Sequence, residues 1–270
     1  MNTLDQDNPK FIYKYGTWDD ILFRRLITEQ VAYFASPEIY GKEQDIIHKI
    51  DRCVLDENNR LQFYRDHYKK QYPDCSEDEI CRMAKNALKN NIITKDKLSE
   101  FEQYWQKIYY ELIGVFCTGR TPYEKILWRD FGKKAKGENS ISGICIQIDR
   151  ELAFSGLFGT GKKTDYGSPV SFNPLLIFQS DTEAIKYARE FLFTLPADFC
   201  EENEYRIIRL FTKNESREIP IPKESIKRII LHPEMGTTKR KEIKESAQSF
   251  GIEDIKQLKR DKSGYKLVSI

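Results

Sequence analysis

The chain has 270 residues, 40% of them hydrophobic, enough to bury a sizeable core in one large domain or two small ones. Its 44 basic and 42 acidic residues leave a net charge of +2, which removes any broad electrostatic case for wrapping nucleic acid or lying on an anionic membrane. No apolar run approaches the ~18 to 20 residues of a spanning helix. The opening Met1-Asn2-Thr3-Leu4-Asp5-Gln6-Asp7 lacks the basic and apolar parts of a signal peptide. The expectation is a cytoplasmic protein with reduced thiols, since six cysteines are scattered at 53, 75, 81, 117, 145 and 200 without a repeated spacing. Cys53, His67, Cys75 and Cys81 lack the C-x-x-C pair that would anchor a zinc module, and no metal is expected.

Phe11-Ile12-Tyr13-Lys14-Tyr15 reads as an aromatic-rich strand, followed by a helix starting at Thr17, with Asp20 three residues on and Ile21, Leu22, Leu26 and Ile27 along it. A second strand, Val31 to Ala35, ends at Ser36-Pro37, where proline breaks a ladder. From about 43 to 112 the pattern turns helical and reads as an inserted helical subdomain. There Ser76 and Glu79 form a capping box ahead of Ile80, Met83, Ala84, Ala87 and Leu88. Leu98, Phe101, Trp105, Ile108 and Leu112 continue it as an amphipathic helix.

After Gly114 the pattern is mixed: a strand at Val115-Phe116-Cys117, a short helix from Tyr123 to Gly132, and a buried strand at Ile144 to Ile148. Asn173-Pro174 supplies a cap and first-turn proline for a helix between 174 and 193. Strands follow at 204 to 211, 217 to 221 and 226 to 231, then a helix at 237 to 249 and closing strands near 254 and 266. The fold class is α+β, with a mixed, mainly antiparallel sheet. The chain shows no internal repeat and no low-complexity linker, so a single domain suffices.

Several segments carry possible chemistry. Gly156 to Thr164 nearly spells a phosphate-binding P-loop, but Lys163 stands where a hydroxyl should meet magnesium, and Asp165 to Pro169 cannot open the required helix. A flexible basic surface loop is expected instead. His48, His67 and His232 have no serine or cysteine placed in sequence as a nucleophile, and Lys239, Arg240, Lys241 and Lys244 read as a solvated helix face. The most informative stretch is Glu202-Asn203-Glu204-Tyr205-Arg206. On a strand, Glu202 and Glu204 would project from one face, a costly arrangement for stability and a useful one for chemistry. The bland alternative is an edge-strand pair of glutamates answered by Arg206 or Arg209.

The order of these pieces resembles the bacterial domain-of-unknown-function 2971 family across nearly the whole chain, outside the helical insert. The resemblance rests on Tyr13-Lys14-Tyr15, Tyr33-Phe34-Ala35-Ser36-Pro37, Phe116-Cys117-Thr118, Leu127-Trp128-Arg129-Asp130-Phe131, Gly143-Ile144-Cys145-Ile146, Glu202 to Arg206, and Ile226 to Leu231. The chain departs from that pattern at Tyr40-Gly41-Lys42 in place of Asn-Asp-Pro, at Asp130 in place of histidine, and at Phe199 in place of tryptophan. More distantly, the plan is similar to that of ADP-ribosyltransferases, a likeness at the level of fold.

That likeness implies NAD as substrate. Lys14 and Tyr15 would hold the dinucleotide, and Ser36 would support the ribose or the glutamate. Glu204 would bind the ribose hydroxyl and stabilise the oxocarbenium-like charge as nicotinamide leaves, while Glu202 would orient or deprotonate the acceptor. Tyr15, Tyr33 or Phe34 would stack on a ring, Arg206 would meet pyrophosphate or pair with a glutamate, and Trp128 joins the cofactor-binding set. The acceptor would be an unknown macromolecule, or water in a glycohydrolase, and the setting a toxin or phage-defence effector. Two alternatives stand beside it: a non-catalytic protein-interaction module, and a nucleic-acid-binding protein using Lys162, Lys163 and the 239 to 244 helix.

Overall fold

A computed structural model describes residues 8–40, 49–50, 56–90, 99–100, 103, 107, 110–132, 141–156, 159–167, 171–172, 190, 192–262 and 264–270. In chain order these form β1 (Phe11–Thr17), α1 (Ile21–Thr28), β2 (Val31–Tyr33), β3 (Lys49–Ile50), α2 (Glu57–Gln71) and α3 (Glu77–Lys89). Next come β4 (Ile113–Gly119), α4 (Lys125–Phe131), β5 (Gly143–Asp149), α5 (Arg150–Phe154), β6 (Gly159–Lys163), β7 (Asp165–Gly167), β8 (Ser171–Phe172) and β9 (Thr194–Pro196). The chain closes with β10 (Glu204–Leu210), β11 (Glu218–Pro220), β12 (Ile226–Leu231), α6 (Thr237–Ser249), β13 (Ile255–Asp261) and β14 (Gly264–Ser269).

The class is mixed α+β, built on a large, mainly antiparallel sheet of eight strands in the order β14-β13-β12-β5-β1-β4-β10-β6. Only β12 and β13 run parallel within it, joined through α6. Three small ladders lie outside this sheet: β11 with β2, β3 with β8, and β7 with β9.

Strand alternation sorts the core into two faces. Ile12, Ile144, Ile146, Ile148, Ile229 and Leu231 pack with Phe23, Leu26 and Ile27 of α1 and with Ile243 and Ala247 of α6. Tyr15, Cys145, Ile230 and Leu258 pack on the other face against Trp128 of α4. β5 is buried along its whole length because both faces are covered.

Local signals explain several boundaries. Thr17 closes β1 rather than opening a helix, because Asp20 is the residue that caps α1, its carboxylate accepting from the Phe23 N–H. Ile21 and Leu22 face outward, and the helix buries Phe23, Leu26 and Ile27 instead. The Ser76 and Glu79 capping box forms as the spacing requires, and α3 buries Ile80, Ala84 and Ala87. β2 stops at Tyr33, and Ala35 adds one isolated pair with Val115 before Pro37 begins a 3-10 turn.

The basic loop expected at 156 to 164 is corrected over residues 159 to 163, which form β6 and pair along β10. Glycine makes this pairing possible: a Cβ at Gly161 would stand 2.5 Å from the Tyr205 hydroxyl, so only a bare backbone can lie there. Most of the helices expected at 98 to 112 and 174 to 193 lies outside the described residues.

Candidate functional site

The sheet parts between β1 and β4. These neighbours share a single registered pair, Tyr13 with Gly119, whereas β1 matches β5 along all seven residues and β4 matches β10 along seven. A cleft of about 480 Å³ opens at the parting. Lys14 and Tyr15 line it from one half of the sheet, and Cys117, Thr118, Gly119, Glu204 and Arg206 from the other. Leu127, Asp130 and Phe131 of α4 and Leu195, Phe199 and Glu202 complete the lining.

Gly119 creates part of this space, since a Cβ there would stand 2.9 Å from the Tyr15 ring. Lys14 lies opposite Ile146 in register and thus belongs to the α1 and α6 face, yet it reaches the parting. Its Nζ donates to the Cys117 carbonyl at 2.9 Å and sits 4.7 Å above the Phe116 ring. Burial pulls the Lys14 pKa down, and the nearby Glu204 carboxylate opposes that shift.

Glu204 and Arg206 share a face of β10, as alternation demands, with Arg206 Nε donating to Glu204 Oε2 at 2.9 Å. The side chains are only 9% and 2% exposed, and β10 is flanked by β4 and β6, so this is a deeply buried pair rather than an edge-strand one. Arg206 also donates to the Leu192 carbonyl at 3.4 Å. The Glu204 N–H donates to the Tyr166 hydroxyl at 2.7 Å, and the Glu204 carbonyl accepts from the Thr164 N–H at 3.0 Å. Burial holds the Tyr166 hydroxyl pKa well above its ordinary value.

Glu202 reaches the same cleft by a different route from the one the spacing suggests. It ends a 3-10 turn, Ala197–Glu202, and β10 begins only at Glu204. Asn203 between them has φ 45 and ψ 48, a left-handed conformation that breaks strand alternation. The two glutamates are therefore neighbours across a turn.

Of the other residues singled out in the sequence, Tyr33, Ser36 and Trp128 are not among those lining the cleft. Tyr33 stands opposite Glu218 in the separate β2 and β11 ladder. Ser36 donates its hydroxyl to the Tyr110 carbonyl at 3.0 Å and caps the following turn through the Glu38 N–H. Trp128 is buried behind the wall, edge-on to Tyr15 at 5.2 Å, with its indole N–H given to the Pro122 carbonyl at 2.8 Å. Phe34 is wholly buried against Phe116. Tyr15 does line the cleft, but its hydroxyl donates to the Thr121 carbonyl at 2.7 Å, and burial pushes its pKa far up.

Leu127, Asp130, Phe131, Leu195 and Phe199 were not singled out as site residues from the sequence. Signals exist for four of them: Leu127 and Phe131 stand one helical turn apart on α4, and Asp130 and Phe199 are positions where the chain departs from the family it resembles; Leu195 carries none. Lys162 pairs with Asp165 at 2.6 Å. In α6, Lys239 pairs with Asp19, Arg240 donates to Gln257, Lys241 pairs with Glu245 and Lys244 donates to the Ile270 carbonyl. Among the described residues, no three or more His, Cys, Asp or Glu side chains converge so that they could hold a metal ion. No helix among them is long and apolar enough to cross a membrane.

Fold and site together define an α+β protein whose antiparallel sheet parts over a cleft holding three carboxylates, a lysine, an arginine and three aromatic rings. No protein-family model, no curated protein and no solved structure matches the chain.

Proposed function

We propose that this chain is an ADP-ribosyltransferase-like enzyme that cleaves the bond between nicotinamide and ribose in NAD, and that it belongs with the domain-of-unknown-function 2971 proteins it resembles. One observation carries the reading: Lys14 and Tyr15 meet Glu202, Glu204 and Arg206, a group far away in sequence, in one cleft. Breaking the N-glycosidic bond builds positive charge on the ribose, and a carboxylate held in place in a partly dry site stabilises such charge.

In this reading Glu204 faces the ribose, and Arg206 holds its carboxylate in orientation rather than meeting pyrophosphate. Lys14 takes the pyrophosphate charge, and Tyr15, Phe131 and Phe199 offer ring faces or edges to nicotinamide or adenine. Glu202 accepts the proton of the incoming nucleophile, which is a macromolecular side chain in transfer or water in hydrolysis. The leaving nicotinamide departs neutral, so the step consumes one nucleophile and releases one proton.

The test is nicotinamide release from NAD by wild type beside Glu204→Gln, each checked for folding by circular dichroism, with and without cell lysate. Release that collapses in Glu204→Gln supports the reading, and a lysate requirement marks transfer over hydrolysis. A second reading, a non-catalytic recognition module, draws on the fact that Glu204 already has an ion-pair partner. Absence of release from folded wild type under both conditions would favour it.

A further inference from the structure

The turn that presents the two cleft glutamates is held by a residue that lines no part of the cleft. Glu124, just ahead of α4, accepts at one carboxylate oxygen from the Asn203 side-chain amide at 2.9 Å and from the Thr121 hydroxyl at 2.9 Å. Its own backbone N–H donates to the Tyr15 hydroxyl at 3.3 Å. The Tyr15 hydroxyl in turn donates to the Thr121 carbonyl. A single glutamate thus connects β1, the head of α4 and the turn before β10, on both sides of the parting in the sheet.

Glu124 anchors the one left-handed residue of this turn. Asparagine adopts that conformation more readily than most residues with a Cβ, and here its side-chain amide is committed to a partner 79 residues away. The backbone on either side is also fixed: the Asn203 N–H donates to the Cys200 carbonyl at 3.4 Å, and the Glu204 N–H to Tyr166. With the Asn203 amide tied to Glu124, the turn carries both Glu202 and Glu204 to the same cleft.

We infer that Glu124 and Asn203 are positioning residues for the glutamate pair, setting the placement of Glu202 and Glu204 relative to Tyr15 and Lys14 across the cleft. The kinetic part of this inference rests on the proposed reaction, whereas the structural part does not. A clamp on the turn acts on the geometry of the reacting groups more than on ligand contacts, so its loss lowers turnover while leaving apparent affinity nearly unchanged.

The experiment compares Asn203→Gly, which keeps the left-handed backbone and deletes the amide, Glu124→Ala, and Glu124→Gln, whose amide oxygen still accepts from Asn203. In nicotinamide release, the first two are expected to lose at least ~10-fold in kcat with KM within ~3-fold, and Glu124→Gln to stay near wild type. Hydrogen exchange at the Glu204 amide is expected to quicken ~10-fold in Asn203→Gly and Glu124→Ala and not in Glu124→Gln. Unchanged exchange in both deletions overturns the clamp. Quickened exchange with unchanged kcat overturns its role in turnover. If wild type releases no nicotinamide, the proposed reaction has failed, and the exchange measurement alone decides whether Glu124 holds the turn.

Discussion

Replacing Arg206 by Met would remove the guanidinium while retaining much of the side chain's apolar volume. The perturbation is large because the pair it breaks is deeply buried: Glu204 and Arg206 are 9% and 2% exposed, whereas the Arg25–Glu29 pair at the end of α1 is 49% exposed at its glutamate. Exposed pairs are worth roughly 0–1 kcal/mol. Stranding one charge of a buried pair costs about 3–5 kcal/mol, because the remaining ion stays desolvated. Arg206→Met also withdraws the donor to the Leu192 carbonyl, so the upper part of that range is expected.

Glu204→Gln strands the Arg206 charge in turn, but its amide oxygen still accepts from Arg206 Nε, so its cost should sit at the lower end of that range, about 3 kcal/mol. The double variant leaves no stranded charge, and its cost should fall short of the sum of the singles by roughly 1–3 kcal/mol. Urea unfolding of all four proteins at pH 7 measures the cycle, with unchanged m-values as the check on two-state behaviour. An Arg206→Met cost below about 1 kcal/mol, or strict additivity, would refute the reasoning, because the pair would then be behaving as a solvated one.

Burial lowers the His232 pKa below its ordinary value, with the Nδ1 atom accepting from the Glu234 N–H at 3.1 Å and the ring packed edge-on against Trp128. The folded state therefore prefers neutral imidazole, and the unfolded chain binds the proton first. This contribution is intact above about pH 6.5 and is lost as pH falls from there toward the folded pKa, so His232→Gln should flatten the acid side of a Tm profile. At Gly16 an added Cβ would stand 2.2 Å from the Phe23 ring, inside the core between β1 and α1. Gly16→Ala should cost about 1–3 kcal/mol by overpacking, against a change within about 0.5 kcal/mol for Gly167→Ala, where nothing lies within reach of the new methyl. Thermal melts of the two variants side by side check this.

Most strands were legible because their burial follows a simple period: β1, β4, β5, β10 and β12 all stand where runs such as Ile144 to Ile148 and Ile226 to Leu231 placed them. Helix α6 at Thr237–Ser249 was equally readable. What failed depended on single residues whose conformation the sequence pattern does not reveal. Asn203 could have continued a strand and instead turns the chain, so the glutamate pair survives as neighbours but not on one strand face. Gly161 reads as part of a flexible basic loop, but it stands in β6, where the lack of a side chain lets the strand lie against Tyr205. The separation of Tyr33 and Ser36 from the cleft follows from β2 pairing with β11, a long-range choice that local periodicity cannot express.

The parting of β1 from β4 also explains why a lysine stands in the middle of a hydrophobic strand. Two strands that diverge withdraw backbone partners from one another, and any polar group left in the gap must find another donor or stay wet. Lys14 meets that need from within β1, its ammonium donating to the Cys117 carbonyl and lying over the Phe116 ring. Burial disfavours the charge of this ammonium, and the nearby Glu204 carboxylate works against that penalty. Lys14 thus bridges the two strands at the point where their ladder stops, which gives a buried lysine in this strand a structural reason of its own.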